Sequence, residues 1–189
     1  MVPNRLFVAL VPPATVDAAL AELTAPLPDV RWTPRGNFHL TLRFIGDAAP
    51  DKLERFAAAL GRVRVEPFIL PVGGVGVFPS RGPARVLWAG AGRAHPRLFQ
   101  LRQQVDEALL AVDAGLDVSG FHPHFTLGRL DPAPAPREIA RFLSQHADFA
   151  GPPFRVASFQ LLMPGPPPAY ETVQSFPLAA AAAASPAPS

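Results

Sequence analysis

The chain has no cysteine. Disulfides, thiolate metal sites and a thiol nucleophile are therefore excluded. Lysine is almost absent: Lys52 is the only one, and arginine supplies the rest of the permanent positive charge. No stretch of about 18 apolar residues occurs, so no segment is expected to span a membrane. The N-terminus shows no secretory pattern, because the apolar run Leu6-Phe7-Val8-Ala9-Leu10-Val11 is short and meets Pro12-Pro13. The expected location is the cytoplasm. There is no Walker-type phosphate loop and no Gly-x-Ser-x-Gly elbow. Gly73, Gly74 and Gly76 do not form a dinucleotide fingerprint, since Pro79 follows three residues after Gly76 and no helix opens there.

What is present reads as globular: 189 residues, 49% hydrophobic and 17% charged, with a net charge of +2. That length suits one domain with a real core. The domain is expected to cover residues 1–178. Residues 179–189, alanine and proline with two serines, have nothing to pack and are expected to be disordered. Arginine presents a planar fork of donors that matches phosphate oxygens. An Ala-, Pro- and Arg-rich composition is equally what a GC-rich genome produces, so only arginines beside a chemical motif carry functional weight.

Along the chain, Leu6–Val11 reads as a first buried strand. Val16, Leu20 and Leu23 mark a helix that Pro26 and Pro28 end. A strand over Phe38–Phe44 leads through Gly46-Asp47 into a helix opened by Pro50, with Leu53, Phe56 and Leu60 on one face. Short strands follow at Phe68–Val72, Val75–Phe78 and Val86–Ala89, with a turn at Arg81-Gly82-Pro83. Pro96 opens a longer helix, whose apolar residues from Leu98 to Val112 repeat at threes and fours until Gly115 closes it. A strand over His122–Leu127, a proline-rich linker over Asp131–Pro136 and a short helix through Ile139, Phe142 and Leu143 come next. Strands at Val156–Leu162 and Thr172–Phe176 flank a Pro166-Pro167-Pro168 loop. The order strand, helix, strand, helix thus occurs twice, around residues 5–60 and 86–147. The expected fold is α+β: two similar lobes of antiparallel sheet with helices on the outside.

Two stretches share a motif: Phe38-His39-Leu40-Thr41-Leu42-Arg43-Phe44 and Pro123-His124-Phe125-Thr126-Leu127-Gly128-Arg129. Strand side chains alternate between faces. His39, Thr41 and Arg43 should therefore share a polar face opposite Phe38, Leu40, Leu42 and Phe44. His124 and Thr126 should stand opposite Phe125 and Leu127. Alternation of this kind fixes the register, because a one-residue slip would bury His39. Each lobe is expected to give one His-x-Thr strand to a central cleft. Histidine exchanges protons near neutrality. Two imidazoles on opposite sides of one phosphorus can divide the work, one taking a proton from the attacking oxygen and the other giving one to the leaving oxygen. The threonine hydroxyls can donate to the non-bridging oxygens, and an arginine can neutralise the charge that builds there.

The two motifs resemble those of the 2H phosphoesterases, and within that superfamily the RNA 2′,3′-cyclic phosphodiesterases, or 2′-5′ RNA ligases, of the LigT/ThpR type. The resemblance runs from about residue 4 to about 178. It rests on Arg5–Leu10 as an opening strand, Asn37–Gly46 and Phe121–Arg129 as the two motifs, and Arg85–Trp88 as a further strand. It implies that His39 and His124 are the catalytic pair and that Thr41 and Thr126 bind the phosphate. It also implies opening of a terminal 2′,3′-cyclic phosphate to a 2′-phosphate without a metal or other cofactor, with His124 activating water and His39 protonating the 3′ oxygen. Arg129 matches a basic position of the second motif. Strand parity places it with Phe125 and Leu127 unless Gly128 bends or bulges the strand, and Arg43 is the alternative phosphate partner. Phe7, His122 and Tyr170 are possible substrate contacts. Met163-Pro164 departs from the small polar residue that the family usually carries there. The expected partners are RNA 3′ ends or nucleotides with a 2′,3′-cyclic phosphate, and a monomer is expected because one chain holds both half-sites.

Two other readings fit part of the pattern. A metal site on His39, His122 and His124 lacks a carboxylate at ligand spacing and leaves the threonines without a role. A binding module would hold an RNA end or a nucleotide phosphate in the same cleft without turning it over. Joining of RNA ends through a 2′-5′ bond is permitted by reversibility.

Overall fold

The computed structural model describes residues 5–180, apart from 25, 26, 28, 48, 49, 94, 116, 118, 119, 131–135 and 166–169. Helix termination by Pro26 and Pro28, most of the 131–136 linker, the 166–168 loop and residues 181–189 of the tail lie outside the described residues. The first half runs β1 (Arg5–Leu10), α1 (Ala14–Glu22), β2 (Val30–Trp32), β3 (Leu40–Asp47), α2 (Pro50–Leu60), β4 (Phe68–Gly73) and β5 (Val75–Phe78). The second runs β6 (Val86–Gly90), α3 (Pro96–Leu110), β7 (His124–Leu130), α4 (Pro136–Gln145), β8 (Ala150–Val156), β9 (Ser158–Pro164) and β10 (Tyr170–Pro177). Among the described residues, no helix is long and apolar enough to cross a membrane.

Local sequence explains these elements. In α3, Pro96 occupies the first turn, where its missing N–H does no harm, and the His95 side chain caps the helix by accepting from the Arg97 N–H. Leu98, Leu101, Val105 and Leu109 form its buried stripe. The Val156–Leu162 strand of the sequence reading is two strands that divide at Ala157. β8 pairs with β4 in a separate small sheet, whereas β9 joins the main sheet beside β1. β2, with three residues, is too short to show a period in the sequence.

The main sheet has the order β10-β9-β1-β3-β7-β6-β5, with β2 also on β7, and its neighbouring strands are antiparallel. At its centre β3 and β7 are joined by a single residue pair, Leu40 with Phe125. The sheet is therefore two half-sheets meeting along a seam, and the seam runs between the two motif strands. The repeated order β1-α1-β3-α2 and β6-α3-β7-α4 matches the expected two lobes. The halves share one hydrophobic core, in which Leu40, Leu42, Phe125 and Leu127 are fully buried.

Both motif strands depart from simple alternation at the same point. Ala9 pairs with Thr41 but Val8 pairs with Arg43, so Leu42 is an extra residue on β3. Trp88 pairs with Thr126 but Leu87 pairs with Gly128, so Leu127 is an extra residue on β7. Each is a β-bulge directly after the motif threonine. A bulge shifts parity by one. Leu42 and Arg43 therefore both face the core, and Phe44 turns outward. Arg43 is 2% exposed and Phe44 62%, the reverse of the strict alternation expected from sequence. The Arg43 guanidinium donates to Asp106 of α3 and to the Gly115 carbonyl. It is turned away from the motif histidines, and its expected role as a phosphate partner is corrected. Arg102 of α3 donates to the Leu42 carbonyl, satisfying the oxygen at the bulge, and also pairs with Asp106 and Asp117.

On β7 the same shift buries Leu127 and Gly128 and turns Arg129 outward. β2 lies so close here that a Cβ on Gly128 would meet Val30 Cγ1 at 2.8 Å and Trp32 Cε3 at 3.2 Å. Gly128→Ala is therefore expected to destabilise the protein by about 1–3 kcal/mol, the usual cost of overpacking. Urea unfolding measures this, and an unchanged midpoint would contradict the packing described here.

Candidate active site

The seam opens into a cleft of about 420 Å³. His39 comes to it from the residue just before β3, Thr41 from β3, and His124 and Thr126 from β7. Antiparallel register decides how they meet. Counting one residue outward from the Leu40–Phe125 pair sets His39 across from Thr126 and Thr41 across from His124. On that register the two imidazoles are diagonal to one another across the seam. The apolar residues between them point the other way, into the core.

Both imidazoles are held by the same device. His39 Nδ1 lies 2.9 Å from the Asn37 carbonyl, and His124 Nδ1 lies 2.7 Å from the His122 carbonyl. A carbonyl oxygen only accepts, so each Nδ1 carries the hydrogen and each neutral ring keeps its lone pair on Nε2. The segment ahead of His39 is itself anchored. Asp17 of α1 accepts from the Gly36 N–H at 2.9 Å and pairs with Arg35.

Aromatic rings wall each histidine. Phe7 and Tyr170 stand 5.0 and 4.8 Å from His39, centre to centre, and edge to face with one another. Phe78 meets His124 edge-on at 5.0 Å. Burial among these side chains is the main reason that both histidines titrate below the ordinary value of 6.5. The hydrogen bonds to the Asn37 and His122 carbonyls pull the other way, and positive charge nearby, Arg129 in both cases, adds to the lowering. Both rings are accordingly mostly neutral at pH 7 in the free protein.

The structure brings together His39, His124, Thr41, Thr126, Arg129, Phe7 and Tyr170. Phe7 is only 4% exposed and backs His39, whereas Tyr170, 41% exposed, offers an open ring. His122 does not line this cleft. Its ring packs against Trp88 and Phe78 and borders a neighbouring cavity, while its carbonyl orients His124. Arg5, Thr33, Phe44, Phe78 and Pro164 also line the cleft, though sequence reasoning gave them no role. Arg5 had a visible signal, since it shares strand parity with Phe7. Thr33 donates to the Thr126 carbonyl at 2.8 Å, a tertiary contact with no local signal. Among the described residues, no carboxylate lines the cleft, and the cations Arg5 and Arg129 do. Among the described residues, no three or more His, Asp or Glu side chains gather as a metal site would require. The arrangement suits an anion cleaved with a proton taken from the attacking oxygen on one side and given to the leaving oxygen on the other, as in phosphodiester cleavage.

Comparison with known proteins agrees. The chain matches the family model of LigT-like phosphoesterases twice, over residues 10–88 and 92–168, and each match contains one His-x-Thr motif. A Geobacillus stearothermophilus protein named RNA 2′,3′-cyclic phosphodiesterase is 32% identical over 161 residues, 83% of this chain and 50% of its own length. The chain thus spans about half of that relative. An Aeropyrum pernix protein of the same name is 31% identical over 125 residues, 66% of this chain and 71% of its own length. A Thermus thermophilus crystal structure superposes with a TM-score of 0.77 at 28% identity, covering 93% of this chain and 98% of that one. The paired half-sheets, the twice-repeated family match and these relatives lead to one assignment: the chain belongs to the LigT-like phosphoesterases.

Proposed function

We propose that the chain hydrolyses the 2′,3′-cyclic phosphate of an RNA end or nucleotide to a 2′-phosphate, using its two histidines as acid and base. The observation that carries this reading is the matched pair of imidazoles, each with Nδ1 tied to a carbonyl two residues upstream and Nε2 left for chemistry. One neutral imidazole takes a proton from water as the water oxygen bonds to phosphorus. The bond from phosphorus to the 3′ oxygen breaks, and the other imidazole, protonated, gives its Nε2 proton to that oxygen. The hydrogen bond to His124 is the more solvent-exposed of the two, which favours His124 as the group that meets water. Thr41 and Thr126 donate to the non-bridging oxygens, and Arg129 offsets their growing charge. Positioning and electrostatics supply most of such catalysis, and no step requires a metal. A 5′-hydroxyl in place of water would form a 2′-5′ bond by the same step. One chain holds both half-sites, which supports a monomer.

The test is incubation with a nucleoside 2′,3′-cyclic phosphate in EDTA. The 2′-monophosphate is the expected product. Binding without turnover would favour a phosphate-binding module, the 3′-monophosphate would contradict the bond assignment, and loss of activity in EDTA would point to a metal.

The depressed histidines also set the pH dependence. The base must be neutral, so kcat/KM falls as pH drops through the lower pKa. The acid must be protonated, so kcat/KM falls as pH rises through the upper one. Both values lie below 6.5 in the free protein, so kcat/KM is expected to peak on the acid side of 6.5 and decline through neutrality. Bound phosphate favours protonated rings, so the kcat profile should lie at higher pH. Arg129→Gln removes a repulsive charge from both rings and should move the kcat/KM peak upward while lowering its height. Initial rates across pH 4 to about 9 check this. A wild-type peak well above neutrality would contradict it.

A further inference from the structure

A second cavity, of about 480 Å³, adjoins the cleft and shares Arg129 and Val86 with it. Its charged lining is Arg31, Arg85 and Arg129. Register explains the approach of Arg31 to Arg129, and Arg85 joins them in the lining of the cavity. Arg31 of β2 is the cross-strand neighbour of Arg129 on β7, and Val86, which follows Arg85, flanks Arg129 on the other side. Directly opposed residues share a face, and adjacent strands lie about 4.8 Å apart. The two cavities therefore form one trough with Arg129 at the divide.

Like charges on opposed strand positions repel. Some arginines of this chain have acidic partners: Arg35 has Asp17, Arg43 and Arg102 share Asp106, and Arg97 has Glu66. Arg31, Arg85 and Arg129 have no carboxylate partner among the described residues. Three guanidinium groups lining one cavity, with no carboxylate among its described lining residues, suit a phosphate ligand. The central cleft already takes one phosphate, so the neighbouring cavity suits the next phosphate of a chain.

We propose that this second cavity is a phosphodiester subsite for an RNA strand. With the terminal cyclic phosphate between the imidazoles, the phosphodiester on the 5′ side of the terminal nucleoside lies against Arg31 and Arg85. The proposal rests on the hydrolytic reading above and adds a preference to it: RNA ends over cyclic mononucleotides, which lack that phosphodiester.

The test compares adenosine 2′,3′-cyclic phosphate with the dinucleotide ApA ending in the same cyclic phosphate. It uses the wild type and the double variant Arg31→Gln/Arg85→Gln. Both side chains are exposed, so the variant should fold, and a circular dichroism melt checks that it does. The variant should lose about tenfold or more in kcat/KM on the dinucleotide, the scale of lost phosphate contacts. It should change by less than about threefold on the mononucleotide, since exposed charges at a distance are screened. The salt dependence on the dinucleotide should flatten by about one unit of slope for each arginine removed. Equal losses on both substrates, or none on the dinucleotide, would overturn the subsite. Should the wild type turn over neither substrate, the hydrolytic reading fails by itself. Calorimetry with adenosine 2′-monophosphate and ApA 2′-monophosphate then decides the subsite: weaker binding of the dinucleotide alone to the variant supports it, and unchanged binding overturns it.

Discussion

His39→Ala and His124→Ala are each expected to lower kcat/KM on a nucleoside 2′,3′-cyclic phosphate by at least about a hundredfold, the scale of lost acid–base catalysis. Neither change should unfold the protein. Both rings face the cleft, and the strands that carry them are held by Leu40, Leu42, Phe125 and Leu127 on the opposite side. Combining the two substitutions should cost far less than the product of the single losses, because groups that act as a unit are not additive. A substrate with a phenolate leaving group separates the roles, since a good leaving group needs no proton. On an aryl phosphodiester, loss of the acid should be largely rescued and loss of the base should not. The proposed roles place the rescue in His39→Ala. Near-normal turnover by either variant on the cyclic substrate would remove that histidine from the chemistry.

Arg43→Ala should have the opposite signature: a stability loss of about 3 kcal/mol, with turnover per folded molecule unchanged. The guanidinium is buried behind the bulge, with Asp106 and the Gly115 carbonyl as partners. Removing one member of a buried pair leaves the other to be satisfied elsewhere and typically costs about 3–5 kcal/mol. Arg102 still holds Asp106, which puts the expected loss at the low end of that range. Urea unfolding gives the stability, and rates below the transition give the turnover. A raised KM with unchanged stability would mean that Arg43 reaches the substrate after all.

Arg43 and Arg129 mark where the sequence could and could not be read. Up to Thr41 and Thr126, apolar alternation sets the face of every side chain, and the structure has His39, Thr41, His124 and Thr126 lining one cleft. Beyond each threonine the bulge reverses parity. Gly128 hinted at this on β7, and Arg129 does turn toward the cleft. On β3 the equivalent position is Arg43 itself, so no glycine announced the bulge there. What secures it lies about 60 residues away, in Arg102 and Asp106. Phe44 was missed for the same reason. Phe78 and Thr33 were missed because strand pairing brings them to the cleft, and pairing between distant strands leaves no local period. The repeated element order was visible as two lobes. The crossing of β2 to pair with β7 was not, because Val30–Trp32 is too short to show alternation.

The central claim is that His39 and His124 serve one phosphate. Nuclear magnetic resonance of the imidazole Cε1–H and ring nitrogen signals, during titration with adenosine 2′-monophosphate, tests it most directly. Without ligand at neutral pH, both rings should show the form with hydrogen on Nδ1. With ligand, both should shift along one saturation curve, and both pKa values should rise together. A ligand that moves only one ring, or moves the two with different affinities, would show that they do not share a phosphate.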